Sequence, residues 1–191
     1  MIDGDFSAVA IDMPIGMPNF TPRASEIEAR RHLSPRGSTI FPTPVRACLA
    51  ARDYAHACEL SMAARGVKIS KQSWHILDKI REVDNAVTPA HSGRVIEAHP
   101  ECSFLAMNGG VRLPTKHSAE GIEVRAALVT EHFGVVAAAV RTSAAVAKID
   151  DVLDAYAVLW TAERFVVGAH RSFPAGAQEF DARGLPMRIV V

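Results

Sequence analysis

Two very short apolar runs, each closed by a carboxylate, set the strongest limit on what this chain can fold into. Ala8-Val9-Ala10-Ile11 runs into Asp12, and Val95-Ile96 runs into Glu97. A run without polar alternation has no solvent face, so each predicts a strand buried on both sides in a parallel or mixed sheet. The chain must leave the first strand at once. Asp12-Met13-Pro14-Ile15-Gly16-Met17-Pro18 contains two prolines and a glycine, which enforce a loop.

Helical signals dominate the remainder. Ser25 followed by Glu28 has the spacing of a capping box, predicting a helix over 25–33. A second helix is expected over 54–65, stopped by Gly66. A third is expected over 71–83, capped by Ser70 and carrying Trp74, Ile76, Leu77 and Ile80 as its apolar stripe. Asn108-Gly109-Gly110 is a turn, and further helices fit 119–132 after Ser118 and 151–167 before Gly168. Residues 187–191 suit a last strand, and 135–140 form an apolar run, strand or helix, with no chemistry in it. Few strands and many helices predict an α/β or α+β fold in one domain spanning 1–191.

The 21 basic and 21 acidic residues leave a net charge of zero, which argues against a basic coat for nucleic acid and against an acidic tail. No run approaches the length of a membrane helix, and the N-terminus lacks a signal-peptide pattern, so a cytoplasmic location without membrane contact is expected. Cys48, Cys58 and Cys102 form no CxxC pair, and the eight histidines contain no HExxH motif.

Charged groups are seldom buried without a partner, so carboxylates inside apolar sequence are the informative ones. Asp12 and Glu97 close the two strands, and Asp154 is the only charge in Val152 through Trp160. Asp151 lies three residues before Asp154 and can share its helix face. Carboxylates from two strand ends and one helix are what Mg²⁺ or Mn²⁺ requires for phosphodiester cleavage. The alternatives are that Asp12 bonds loop amides and that Glu97 is an exposed strand end.

A longer series of blocks resembles the domain-of-unknown-function 429 family. It comprises Ala10-Ile11-Asp12-Met13-Pro14-Ile15-Gly16-Met17-Pro18, Ser38-Thr39-Ile40-Phe41-Pro42-Thr43-Pro44-Val45-Arg46, Ile69-Ser70-Lys71-Gln72-Ser73-Trp74 and Glu97-Ala98-His99-Pro100-Glu101. Asp150-Asp151-Val152-Leu153-Asp154-Ala155 and Gly184-Leu185-Pro186-Met187 extend it toward the C-terminus. The resemblance implies a ribonuclease H-like mixed sheet flanked by helices, with acidic residues holding divalent ions at the strand ends. It therefore implies a metal-dependent nuclease with catalytic Asp12, Glu97 and Asp154, and with Asp151 as a further metal ligand. Glu101 and His99 follow as secondary candidates in the same loop. Members normally open with a Gly-Val-Asp-Gly strand and a hairpin, whereas only seven residues precede Ala8 here. The expectation is a chain truncated relative to the family, lacking the first acid and leaving the strand at 8–11 with an open edge. Such an edge would serve a catalytically inactive binding or assembly module, including a homo-oligomer.

The basic residues carry two readings. Arg46 follows the rigid Phe41-Pro42-Thr43-Pro44 segment, and Lys71, Lys79 and Lys116 lie near other cations or family blocks. Either they bind the phosphates of a nucleic-acid substrate or they form solvated surfaces. Trp74 reads as core rather than as a stacking platform.

Overall fold

The computed structural model describes residues 4–134 and 147–191, so the apolar run at 135–140 lies outside the described residues. The first strand, β1, is Val9–Ile11, and β2 is Val95–Glu97. They pair in parallel, with Val9 opposite Val95 and Ile11 opposite Glu97. The parallel register sets the geometry of everything that follows: both strands end at the same edge, with Glu97 opposite Ile11 and Asp12 one residue beyond the pairing. At the C-terminal end of the fold, β3 (Ser172–Phe173) and β4 (Ile189–Val190) pair antiparallel. The strands thus form two two-stranded sheets, linked by a single isolated parallel bridge from Ala98 to Val190. Among the described residues β1 has a strand partner only on its β2 side.

Seven helices surround these strands among the described residues: α1 (Ala24–His32), α2 (Tyr54–Arg65), α3 (Lys71–His75), α4 (Leu77–Ala86), α5 (Pro100–Met107), α6 (Ala119–Phe133) and α7 (Ile149–Val166). The α/β class expected from the sequence is therefore present. Helix α1 lies against β3 and β4, while α7 packs on β1, α5 and α6. Phe104, Leu113, Val129, Leu153 and Ala157 form the core between α5, α6 and α7. A second core, around Val45, Cys48, Ala57, Ile69 and Leu77, supports α2 to α4. Here Trp74 packs as a core residue, with its ring centroid 5.9 Å from that of Tyr54.

Local chemistry accounts for most boundaries. Asp53 accepts a hydrogen bond from the His56 amide, and α2 stops at Gly66 in the left-handed conformation. Ser118 accepts from the Gly121 amide at 3.0 Å to open α6. Gly16 has φ +78°, and a Cβ there would stand 2.9 Å from the Met187 side chain, so the loop after β1 requires glycine.

Three departures from the expected pattern have physical causes. No capping box forms at Ser25, which is buried inside α1; the cap position is Arg23, whose side chain serves a different purpose. The helix expected over 71–83 is interrupted at Ile76, whose backbone is not helical, while Leu77 and Ile80 both reach the interior. Helix α5 goes beyond the elements expected from the sequence. Its signal was Pro100, which occupies the first helical turn, where its missing N–H costs nothing.

The fold is locked by a buried ion pair. Arg23 grips Glu97 through both guanidinium ends, Nη1 to Oε1 at 3.1 Å and Nη2 to Oε2 at 2.5 Å. Glu97 also accepts the Ile15 amide at 2.8 Å, and Arg23 reaches Thr43 at 3.2 Å. Glu26 accepts the Thr43 amide at 3.1 Å. One cluster thus ties β2, the loop after β1, α1 and the segment before α2. Replacing one partner of such a pair strands a charge in the interior, at a cost of about 3–5 kcal/mol. Arg23→Met should lose stability on that scale in urea unfolding, and adding Glu97→Leu should recover part of the loss. Additive losses in the double variant would show that the pairing is not the cause.

Candidate functional site

Asp12 stands at the end of β1, Glu97 at the end of β2, and Asp154 on the second turn of α7, which packs against β1. Parallel pairing brings the first two together and helix packing brings the third, although 142 positions separate Asp12 from Asp154. The three carboxylates do not share one environment.

Glu97 is fully engaged. Burial pushes its carboxyl above the ordinary range, while the Arg23 guanidinium and the Ile15 amide pull it back. The bidentate geometry is that of an ionised pair, and Glu97 and Glu26 hold Arg23 firmly protonated against its own burial. With both oxygens so occupied, Glu97 is placed as a structural anchor of the loop, differently from the metal ligand that the sequence predicts.

Asp12 reaches solvent at the mouth of the site but is crowded by protein beneath. That crowding, together with the charges of Asp154 and Glu97, pushes its carboxyl from an ordinary 3.8 up to about 7. Lys116 opposes the shift, and water at the exposed carboxylate offsets part of the burial effect. Asp154 is half-buried. Its Oδ2 accepts the Lys116 ammonium at 2.9 Å, whereas its Oδ1 is buried with no hydrogen-bond partner. Burial raises the Asp154 carboxyl and Lys116 counters it. Burial lowers the Lys116 pKa, but Asp154, Asp150 and Glu101 more than reverse this and keep the ammonium charged.

A cavity of about 20 Å³ beside Asp12 is lined by Glu97, His99, Phe41 and Thr43, among others. That is room for about one water molecule. His99 is held below its ordinary pKa by burial; its Nδ1 is buried without a partner and its Nε2 lies 3.4 Å from the Thr39 carbonyl. Glu101 is turned elsewhere, gripped at both oxygens by Arg125.

The remaining predicted residues are dispersed. Asp151 is exposed in the first turn of α7, where the helix dipole favours a carboxylate. Arg46 is committed to the protein itself: its guanidinium bonds both oxygens of Asp84 at 3.0 Å and also meets Asp181. Lys71 and Lys79 are exposed on α3 and α4 and do not line the cavity at Asp12. Lys116, expected to meet substrate phosphate, contacts Asp154 through its ammonium. Among the described residues, no group of three or more Asp, Glu, His or Cys side chains is arranged to hold a metal ion. The residue that the sequence left unmarked was Arg23. Nothing local signals its role, because its partner lies 74 positions away.

Residues 2–179 match a protein family of unknown function, DUF429. The chain belongs to the DUF429 family. No curated protein and no solved structure matches it. Among the described residues of this DUF429 member, no helix is long and apolar enough to cross a membrane.

The Asp12 shift has a consequence for stability. A carboxyl with a raised folded-state pKa binds more protons folded than unfolded between its two pKa values. Its contribution is therefore favourable at low pH and declines as pH rises from about 4 to about 7. Thermal melts of wild type and Asp12→Asn should diverge across that window, with wild type losing stability relative to the variant. Parallel pH profiles would contradict the shift.

Proposed function

We propose that this DUF429 chain is a metal-dependent phosphodiester hydrolase of ribonuclease H-like type, using one divalent ion, Mg²⁺ or Mn²⁺, between Asp12 and Asp154. The supporting observation is the buried, unpartnered Oδ1 of Asp154 beside the charge of Asp12. Leaving a carboxylate oxygen dry and unbonded is costly, and a hard cation is the natural complement. Mg²⁺ is commonly held by only one or two carboxylates, the rest of its shell being water and substrate phosphate, so two acids suffice for one ion. They do not suffice for the three-carboxylate, two-ion set, because Glu97 is spent on Arg23 and the Ile15 amide. Asp151, exposed one turn earlier on α7, stays outside the proposed ligand set.

The bound ion would supply charge neutralisation at the phosphate and acidify a water molecule. Asp12 and Asp154 orient that centre at the ends of β1 and α7. Lys116 has ammonium protons left beyond its bond to Asp154 and offers them to a phosphate oxygen. Asp12 must shed its proton to act as a ligand, so ion binding strengthens as pH rises toward and past 7. Nucleic acid is the proposed substrate class.

Calorimetric titration with Mn²⁺ tests this reading. Wild type should bind about one ion, and Asp154→Asn should bind at least about tenfold more weakly, with loss of Mn²⁺-dependent cleavage across single- and double-stranded DNA and RNA. Equal affinity in the two proteins removes the site. A second reading, an inactive assembly module, is favoured by the β1 edge, which has no strand partner among the described residues. It predicts a dimer or larger species by light scattering and no cleavage of any of these substrates.

A further inference from the structure

Around the far end of α7, two arginines gather with no Asp or Glu side chain among them. Arg164, Arg171 and His32 line one cavity of about 340 Å³ together with Trp160 and the Gly109-Gly110 turn. No acidic side chain lines it, and neither arginine has an ion-pair partner among the described residues. Two guanidiniums against the one carboxylate at Val191 leave a local excess of positive charge in a chain of zero net charge, and it acts on its neighbours. Besides burial, Arg171 and Arg112 hold the His32 pKa below its ordinary value, and Arg188 with Arg164 does the same to His170.

The guanidinium groups are held in place rather than left to wander in solvent. Arg164 stacks with its guanidinium carbon 4.6 Å from the Trp160 ring centroid. One of its Nη atoms donates to the Ala169 carbonyl, and its Nε is buried with no partner. Arg171 donates from Nη2 to His32 Nε2 at 2.8 Å, which fixes His32 as a neutral acceptor there, and its guanidinium lies 5.7 Å from the Phe173 ring centroid. The Arg171 amide meanwhile bonds the Val191 backbone oxygen, anchoring that residue to the end of the sheet. Each guanidinium has five N–H donors, so both keep unused donors after these contacts.

We propose that this cavity is a binding site for the phosphate monoester group of a small phosphorylated ligand. The charge favours an anionic group: a monoester carries about −1.5 to −2 at neutral pH, and the two guanidiniums outweigh the one carboxylate at Val191. Its three free oxygens can meet both arginine forks at once, whereas the two oxygens of a carboxylate fill one fork and leave the other unused. The cavity exceeds the size of phosphate alone and falls at the lower end of small-ligand sites, leaving space for an attached group beside the Arg164–Trp160 stack. The site is independent of the acidic one. Asp154 and Arg164 are ten residues apart on α7, about 15 Å along its axis.

Phosphorus NMR and calorimetry with phenyl phosphate, using the full chain, test the assignment. Wild type should bind, and Arg171→Gln and Arg164→Met should each weaken binding by about tenfold, the loss expected for one charge-assisted contact. Asp154→Asn should leave it unchanged. Arg171 is exposed, so its variant decides the matter if loss of the Trp160 stack unfolds Arg164→Met. An oligothymidylate without a terminal phosphate should not displace phenyl phosphate. Absence of binding by wild type, equal affinity in Arg171→Gln, or displacement by that oligonucleotide would each overturn the monoester assignment.

Discussion

The buried pair between Arg23 and Glu97 is the constraint on which the rest of the structure depends. Both charges are out of water, and only mutual neutralisation with additional hydrogen bonds makes that tolerable. The bonds come from four separate stretches of chain: β2 supplies Glu97, the loop after β1 supplies the Ile15 amide, α1 and its cap position supply Glu26 and Arg23, and the segment before α2 supplies Thr43. Any displacement of α1 or of the Pro/Gly loop would leave one of these groups unsatisfied. The pair therefore fixes the edge of the sheet from which the acidic site is built.

It also decides which acids remain for chemistry. Two carboxylates close the parallel strands at one edge of the sheet, but the one on β2 is consumed by Arg23, and the one just after β1 has no comparable partner among the described residues. Asp12 consequently feels burial and the neighbouring negative charges without compensation beyond Lys116, and its carboxyl rises to about 7. Asp154 shares Lys116 and keeps one dry oxygen unpaired. The same helix that presents Asp154 near its start presents Arg164 near its end, beside Arg171. Acidic and basic clusters thus lie at opposite ends of α7, and a net charge of zero hides both.

Local structure was legible wherever it depended on neighbours in the chain. The apolar runs at 8–11 and 95–96 became β1 and β2, Gly66 ended α2, and Ser118 opened α6, because each of these is decided within a few residues. The errors arose where tertiary contacts outweighed local preference. Ser25 lost its capping role because the turn before α1 was drawn inward by Arg23. The apolar stripe at Trp74, Leu77 and Ile80 broke at Ile76, since its members serve the interior from two helices rather than one.

For the site, the sequence alone determined which acids were candidates: a carboxylate at the end of an apolar run has few ways to stay solvated, and this singled out Asp12, Glu97 and Asp154. Only the tertiary structure decided their fates. Ion pairing with Arg23, Lys116 or Arg46 links positions separated by dozens of residues, and no periodicity or spacing carries that information. The unpaired arginines around Trp160 are the same lesson in reverse. Each is an ordinary surface-type residue in sequence, and only the packing of α7 against α5 and the meeting of β3 with β4 bring them to one cavity lined by no Asp or Glu side chain.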